Sequence, residues 1–322
     1  MFYSARAFKV YEAFLTERPA VSVPAEYVEI TGKIIEKIGW HTDVRAMPES
    51  NVLNAANISV SPRPKDILLA LSGGLDSTYF LYNLKDSGYN VTAVHITGLN
   101  KSTAGTEAER ARRIAQEAGV QFISVEFKAP KQAFPDNPFK NQLVLAIMLD
   151  LGAERGITKY AVGSDWTTPL SEAAVGYTIT DSVEVNREYW RGVQKYFPEA
   201  ELLFIDNADK KYQRLQYLYK FHFTALNKVS SCICPTRFRK FRHGQNIAKY
   251  GVPLMDGRCG SCYKCSMEYI LLVEAGLVPK NKAYFQHCWD ILATSKTAHR
   301  PDLFSKALPY EVRLANLMNY GS

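Results

Sequence analysis

The first 231 residues of this 322-residue chain contain no cysteine, and all six cysteines lie in the last third. A membrane-spanning helix needs about 18 consecutive apolar residues, and no apolar run in this chain is that long, so no membrane span is predicted. The N-terminus has no apolar stretch followed by a cleavage site, so we expect no secretory signal and a cytoplasmic protein. In a reducing compartment, cysteines confined to one region favour a metal site over disulfides.

Two common nucleotide-binding motifs are also missing. The chain has no Gly-x-x-x-x-Gly-Lys-Ser/Thr, which excludes a Walker loop, and no Gly-x-Gly-x-x-Gly, which excludes the dinucleotide fingerprint. The net charge of +7 is moderate for this length. It suits polyanionic ligands such as ATP but does not require nucleic acid.

The most informative segment is 67–81. Five apolar residues at 67–71 predict a buried parallel strand, and the apolar residues at 79–81 predict the first turns of a helix. Ser-Gly-Gly-Leu-Asp-Ser stands between them, at 72–77. Its glycines let the backbone approach a pyrophosphate, and the first N–H groups of the helix point at that anion. Hydroxyl donors come from Ser72, Ser77 and Thr78, and Asp76 implies a magnesium ion between its carboxylate and the phosphates.

The middle of the chain alternates strands and helices, as a doubly wound α/β domain with a parallel sheet does. We predict strands at 67–71, 90–96, 121–127, 159–162 and 201–205, and helices at 77–87, 107–118, 141–155 and 211–223. Ligands bind at the carboxyl ends of the strands in such sheets. The residues after Leu71, those at 95–97 and those at 163–165 should therefore share one cleft.

This pattern divides the chain into three predicted parts. Residues 1–62 form an N-terminal extension, in which isoleucines at 30, 34, 35 and 38 have helical spacing. Residues 63–223 form the ATP-binding α/β domain, with 166–200 as a less regular insertion over the cleft. Residues 224–322 form a metal-binding helical region.

The cysteines of the last part are spaced as metal ligands. Cys259, Cys262 and Cys265 follow one another at intervals of three residues, and Gly260 permits the tight turn of a Cys-x-x-Cys knuckle. A closed site needs a fourth ligand, for which Cys232 and Cys234 are both candidates. We expect zinc, with an iron–sulfur cluster as the alternative.

Both motifs carry a family resemblance. Ser-Gly-Gly-Leu-Asp-Ser resembles the pyrophosphate loop (PP-loop) of the ATP pyrophosphatases, or adenine nucleotide alpha hydrolases, which adenylate a carbonyl oxygen and release pyrophosphate. With Ser231-Cys232 and Cys-Gly-x-Cys-x-x-Cys near the end, the chain resembles the 7-cyano-7-deazaguanine synthase family over roughly residues 65–280. The stretches 141–153, 160–164, 209–215 and 268–278 are similar to that family as well.

The resemblance implies a reaction and a set of site residues. The family uses ATP, magnesium and ammonia to turn a carboxy-deazaguanine into an amide and then a nitrile. The implied phosphate-binding residues are Ser72, Gly73, Gly74, Asp76, Ser77 and Thr78. Their places in the loop and at the strand ends add Leu71, Leu75, His95 and Gly163 to the predicted ATP site. Catalysis would use Asp76 with Lys210 or Lys211, and the substrate would meet Ser164, Asp165 and Trp166. Zinc would be bound by Cys232, Cys259, Cys262 and Cys265, with Cys232 preferred because Ser-Cys matches the family.

Departures from the family leave the acceptor open. The stretch 97–103 differs, the spacing from Cys232 to Cys259 is longer, and both ends of the chain are extra. The acceptor is then a small deazapurine, a protein or a nucleic acid, and the amine is ammonia or another amine. A homodimer is also left open. The alternatives are a tRNA base-modifying enzyme, which would bind RNA through the basic and aromatic strip 237–243, and a non-catalytic nucleotide-binding partner protein. A solvated basic face is the other interpretation of that strip.

Overall fold

A computed structural model describes most of the chain. The described residues are 2–48, 64–99, 104–128, 137–163, 169–171, 179–204, 211–229, 232, 236–251 and 258–297. Within these ranges, no helix combines the length and the apolar character needed to cross a membrane. The contacts divide the chain into two compact units, the first made of 1–70, 84–99 and 123–205, and the second of 71–83, 100–122 and 206–322.

Strands and helices alternate through the middle of the chain and helices dominate its end. The strands are β1 (Ala20–Val23), β2 (Asp43–Ala46), β3 (Asp66–Ala70), β4 (Asn90–Thr97), β5 (Gln121–Glu126), β6 (Lys159–Val162) and β7 (Glu201–Phe204). The helices are α1 (Phe2–Ala13), α2 (Val28–Lys37), α3 (Leu75–Asp86), α4 (Ala104–Glu117), α5 (Lys140–Arg155), α6 (Val183–Tyr196), α7 (Lys211–Phe221), α8 (Phe223–Lys228), α9 (Thr236–Tyr250), α10 (Tyr263–Glu274) and α11 (Lys282–Thr297).

The first unit is built on a five-stranded parallel sheet in the order β5-β4-β3-β6-β7. Ile67, Leu68 and Leu69 of the central strand β3 are completely buried, because helices cover a sheet of this kind on both faces. The doubly wound α/β class predicted from the alternation is therefore confirmed.

The register brings three strand ends to one edge of this sheet. Ala70, the last residue of β3, pairs with Val94 of β4 and with Val162 of β6. The chain adds β4 and β5 on one side of β3 and β6 and β7 on the other. The strand order therefore reverses at β3, and such a switch point is where α/β sheets bind ligands. The loop at 71–74, His95 and Gly163 follow these three paired residues directly.

The N-terminal segment forms part of the first unit. Helix α1 packs on α5, where Asp150 Oδ1 accepts a hydrogen bond of 2.8 Å from the backbone N–H of Tyr3. Arg6 and Glu26 form a buried ion pair, with side chains 6% and 8% exposed. The predicted helix around Ile34 is α2, whereas α1 and the parallel pair of β1 and β2 carried no clear signal in the sequence.

The prediction of a less regular segment over 166–200 is wrong for 183–196, which form helix α6. Ser182 caps this helix by accepting a hydrogen bond of 3.3 Å from Val185 N–H. Gly192 faces Tyr27, and a Cβ at that position would lie 2.6 Å from Tyr27 Cε1. Close packing against Tyr27 requires glycine at position 192, although glycine is a poor helix former. The helix is therefore not evident from local helix propensity.

The second unit contains α4 and the helices from α7 onward. The helix predicted at 211–223 ends at Phe221, because His222 leaves the helical conformation with φ −142° before α8 begins. Lys228 of α8 pairs with Glu117 of α4. Helices α10 and α11 bury Tyr269, Tyr284 and Cys288 between them, together with neighbouring apolar residues.

Candidate functional site

The loop after β3 is closed by its own hydroxyl groups. Ser72 Oγ lies 3.0 Å from Ser77 Oγ and accepts a 3.3 Å hydrogen bond from Gly74 N–H. Ser77 Oγ also donates to Gly74 C=O. The side chain of Ser77 is buried, while Ser72 is exposed. These bonds fix a tight turn immediately before the first residue of α3.

Gly73 makes this turn possible. Its φ is +75°, in the left-handed region that disfavours side chains, and an added Cβ would lie 2.9 Å from Arg110 Cγ and 3.2 Å from the Ala111 backbone nitrogen. Helix α4 therefore leaves no room for a side chain at Gly73. A loop packed this closely presents backbone rather than side chains to a ligand.

The first turn of α3 supplies the groups that bind anions in other helices. Helix N-termini carry N–H groups without intrahelical partners and a partial positive charge. Leu71 and Leu75 are buried, so only their backbone groups are available to a ligand. Thr78 is completely buried, and its Oγ1 has no hydrogen-bond partner within the described part of the chain. Of the three hydroxyls predicted as phosphate donors, only that of Ser72 is exposed.

Asp76 lies in this first turn and is held by an arginine that the sequence analysis did not identify. Arg214 Nη1 of α7 donates to Asp76 Oδ1 at 2.7 Å. The Arg214 side chain is 2% exposed and that of Asp76 is 28% exposed. The signal in the sequence is an arginine next to Leu215 and close to Leu218, which are both completely buried in the structure. An arginine on such an apolar stretch is buried with it, and a buried guanidinium requires a partner.

The other predicted residues of the nucleotide and substrate sites are only partly visible. His95 is buried, 6% exposed, and lies in β4 just beyond the residues that pair with β3, and Gly163 follows β6. Lys211 begins α7, and its side chain is outside the described set. Ser164, Asp165, Trp166 and Lys210 lie outside the described residues.

Four cysteines converge in the second unit. The Sγ atoms of Cys232, Cys259, Cys262 and Cys265 all lie within 4.8 Å of one another. The distance is 3.9 Å between Cys259 and Cys265 and 4.0 Å between Cys262 and Cys232. Cys234, the other candidate for the fourth ligand, lies outside the described residues.

These distances fit four ligands of one ion. Thiolates bound tetrahedrally to zinc at about 2.3 Å lie about 3.8 Å apart, close to the two observed separations. In a four-iron cluster each thiolate binds a different iron, so the sulfurs must stand farther apart than ligands of a shared ion. The observed sulfur–sulfur distances of 3.9 and 4.0 Å are those expected for a single ion.

The knuckle at 259–262 has the local geometry of a metal loop. Gly260 has φ +72°, and Ser261 N–H donates to Cys259 Sγ at 3.3 Å. Cys262 caps α10, and Cys265 lies in the first turn of that helix. The helix end thus directs a partial positive charge toward the sulfurs, which favours thiolates.

A buried ion pair lies beside this cluster. Arg258 donates to both carboxylate oxygens of Glu268 at 2.7 Å, and the two side chains are 2% and 6% exposed. Burial alone would lower the pKa of Arg258, but Glu268 and the nearby Cys265 and Cys232 raise it. Hydrogen bonding with Cys232 raises the pKa of both Cys259 and Cys265. Without a cation these thiols therefore keep their protons, and four neighbouring thiolates form only with a cation among them.

Comparisons with known proteins agree on the nucleotide-binding part of the chain. A family model described as "Queuosine biosynthesis protein QueC" matches residues 66–146, which include the loop after β3. The tRNA(Ile)-lysidine synthase of Chlamydia pneumoniae is 40% identical over 78 residues, 24% of this chain and 24% of that protein. The tRNA-specific 2-thiouridylase MnmA of Alkaliphilus oremlandii is 23% identical over 249 residues, 68% of each protein.

One similar solved structure is the U34-tRNA thiolase NcsA from Methanococcus maripaludis with its 4Fe-4S cluster. It is 18% identical, with a TM-score of 0.28, and the match covers 44% of this chain and 46% of that one. The chain spans only about a quarter of the lysidine synthase's length. The family and sequence matches are to proteins of the PP-loop superfamily.

Proposed function

We propose that the chain is an ATP-dependent enzyme that adenylates a carboxylate and then transfers the acyl group to an amine. The observation that carries this proposal is the loop at 72–78, which follows the central strand at the switch point of the sheet and opens helix α3. A carboxylate oxygen attacks the α-phosphorus of ATP, and pyrophosphate leaves. The amine nitrogen then attacks the acyl carbon, and AMP leaves with the bonding electrons.

The residues of the loop divide the work in this proposal. Backbone N–H groups at Gly73, Gly74 and the start of α3 bind the β- and γ-phosphates and stabilise the charge that develops on pyrophosphate. Ser72 adds an exposed hydroxyl donor. Asp76 would anchor a magnesium ion, which supplies positive charge at the phosphates when it is bound. Arg214 positions the Asp76 carboxylate, and Lys210 or Lys211 would neutralise phosphate charge.

The four-cysteine cluster is proposed to hold zinc. Its support is the close spacing of the sulfur atoms, which suits one tetrahedral ion. Four thiolates leave no open coordination position, so such an ion stabilises residues 258–266 and does not take part in the chemistry. Cys232, Cys259, Cys262 and Cys265 would bind it.

The acceptor we propose first is a carboxylated 7-deazapurine such as carboxy-deazaguanine. This choice is supported by the QueC family model and by the cysteine arrangement at the end of the chain. The planar acid would lie beyond the strand ends, near Gly163, with Ser164, Asp165 and Trp166 as proposed substrate contacts. Such a ring could stack on the indole while backbone groups bind its polar edge.

A binding and product experiment tests this acceptor. Titration calorimetry with carboxy-deazaguanine, in the presence of a non-hydrolysable ATP analogue, should show saturable binding. Incubation with ATP, magnesium and ammonia should then give the amide and the nitrile by mass spectrometry. Normal binding of the ATP analogue without any binding of the acid would remove deazaguanine from the proposal and keep the adenylating enzyme.

A second candidate is a tRNA base-modifying enzyme that adenylates a base carbonyl. It is supported by the sequence similarity to two proteins whose names describe tRNA enzymes. Nucleoside mass spectrometry of tRNA after incubation with the protein, ATP and an amine or sulfur donor separates the candidates. A new nucleoside in the tRNA, with no change in carboxy-deazaguanine, would favour the second.

A further inference from the structure

Helix α9 carries a charge pattern that does not suit an isolated helix. Its 15 residues include five lysines and arginines and no aspartate or glutamate. Four of the five cations, Arg237, Arg239, Lys240 and Arg242, lie in the first seven residues. Cations near a helix N-terminus oppose the helix dipole and destabilise the helix. A bound anion at this end would offset that cost.

The same helix exposes aromatic rings between these cations. Phe241 is 65% exposed and Phe238 is 44% exposed. Arg242, Gln245 and Lys249, which follow Phe241 by one, four and eight residues, are also exposed. Residues four and eight positions apart lie along one side of a helix, and Arg242 borders that side, so rings and cations share a face about 17 Å long from Phe238 to Lys249.

The opposite side of α9 is fastened to the cysteine loop. His243 Nδ1 lies 2.7 Å from the Arg258 carbonyl oxygen. Asn246 Nδ2 donates to the Cys259 carbonyl at 2.8 Å and to Ser261 Oγ at 2.6 Å. Polar side chains therefore fix the inner face, and the exposed face is held rigidly beside the metal site.

We infer that the exposed face of α9 is a docking surface for unpaired RNA. Cations bind the phosphates, and the ring of Phe241 stacks on a base that is not paired. A duplex offers its phosphates to the cations, but its bases are already stacked on one another and leave no free face for Phe241, so it should bind more weakly. The inference is independent of the proposed adenylation, since RNA binding here needs no ATP.

Fluorescence anisotropy with the metal-loaded full chain tests this inference. The probes are a labelled 20-nucleotide uridine RNA and a labelled RNA duplex of equal length, without ATP. The single strand should bind more tightly than the duplex, and its affinity should fall steeply with salt. Loss of a single stacked base in Phe241→Ala should weaken binding about 5- to 100-fold. Arg242→Gln should reduce the slope of log affinity against log salt by about 0.7.

Matched variants separate this face from general effects. Phe221→Ala removes a ring that is 59% exposed on α7, and Lys280→Gln removes an exposed cation outside α9. Both should leave RNA affinity and the salt slope unchanged. Circular dichroism and metal content should match the parent protein in every variant. Asp76→Asn should abolish ATP cleavage and leave RNA binding intact, so failures of the two proposals are distinguishable.

Three results would overturn the inference. One is the absence of salt-dependent binding of the single strand at micromolar protein. Another is equal affinity for single strand and duplex together with no effect of Phe241→Ala, which would indicate a general polyanion surface or an acidic protein partner. The third is a loss in Phe221→Ala as large as that in Phe241→Ala.

Discussion

Arg214 and Asp76 form an ion pair between two helices that are 138 residues apart in sequence, with Nη1 and Oδ1 at 2.7 Å. The guanidinium is almost completely buried, and the carboxylate is partly open at the start of α3. A buried guanidinium is costly without a charge partner, so this ion pair restrains the direction of the carboxylate. The pair thus orients the group that we expect to anchor magnesium.

The first prediction concerns Asp76 itself. Asp76→Asn should abolish pyrophosphate release from ATP, because the amide cannot hold the metal as the carboxylate does. Asp66→Asn is the matched control, since Asp66 is the first residue of β3 and lies at the end of that strand opposite to the glycine loop. A pyrophosphate assay should show activity in the control and none in Asp76→Asn. Equal activity in both would contradict the assignment of Asp76.

The second prediction concerns Arg214 as a positioning residue. Arg214→Gln leaves the partly buried carboxylate without its charge partner and should lower the free energy of unfolding by on the order of 3 kcal/mol. Arg214→Lys keeps the charge and should restore part of both stability and activity. A double-mutant cycle with Asp76→Asn, measured by urea unfolding, should give a coupling energy of about 0.5–3 kcal/mol. A coupling energy of zero would mean that the pair is not a functional unit.

The third prediction concerns the glycine turn. Gly73→Ala forces a side chain into a left-handed conformation and against Arg110 and the Ala111 backbone. It should lower the free energy of unfolding by about 3 kcal/mol and weaken ATP binding. Gly88→Ala is the control, since Gly88 has φ +82° with nothing within 4 Å of the added Cβ. There only the conformational cost of about 1 kcal/mol should appear. Equal losses in the two variants would show that packing against α4 is unimportant.

The fourth prediction concerns the metal. Elemental analysis should find one zinc ion per chain, and Cys232→Ser or Cys265→Ser should lose it. Cys288→Ser is the control, because Cys288 belongs to the cluster between α10 and α11 and not to the four-cysteine group. Chelation should increase hydrogen exchange at 258–266, which contain three of the ligands, and in α9, which is hydrogen-bonded to that loop. Iron with a visible absorption band would contradict a single-ion site.

The sheet could be predicted from the sequence because its signal is local. Most strands contain a short apolar run closed by glycine or polar residues, and β6 begins and ends where the pattern placed it. The glycine loop and the cysteine knuckle were found for the same reason, since each is a compact motif. Cys259, Cys262 and Cys265 come together as their spacing indicated, and they are joined by Cys232, which the spacing did not distinguish from Cys234 and the family resemblance preferred.

What the sequence did not show depends on distant contacts. Strands β1 and β2 are four residues each and exist through their parallel pairing, which no local pattern reveals. Arg214 becomes a site residue only because α7 places it beside Asp76. Helix α6 contains Gly192 because Tyr27 leaves no space for a side chain. Each of these was decided by tertiary packing.

The products of ATP cleavage test the central claim most directly. The metal-loaded protein, incubated with ATP, magnesium, ammonia and in parallel carboxy-deazaguanine or tRNA, should release AMP and pyrophosphate in equal amounts, resolved by ion-exchange chromatography. Attack at the α-phosphorus gives this pair and no other. Release of ADP and inorganic phosphate, or no cleavage with either acceptor, would contradict an adenylating enzyme.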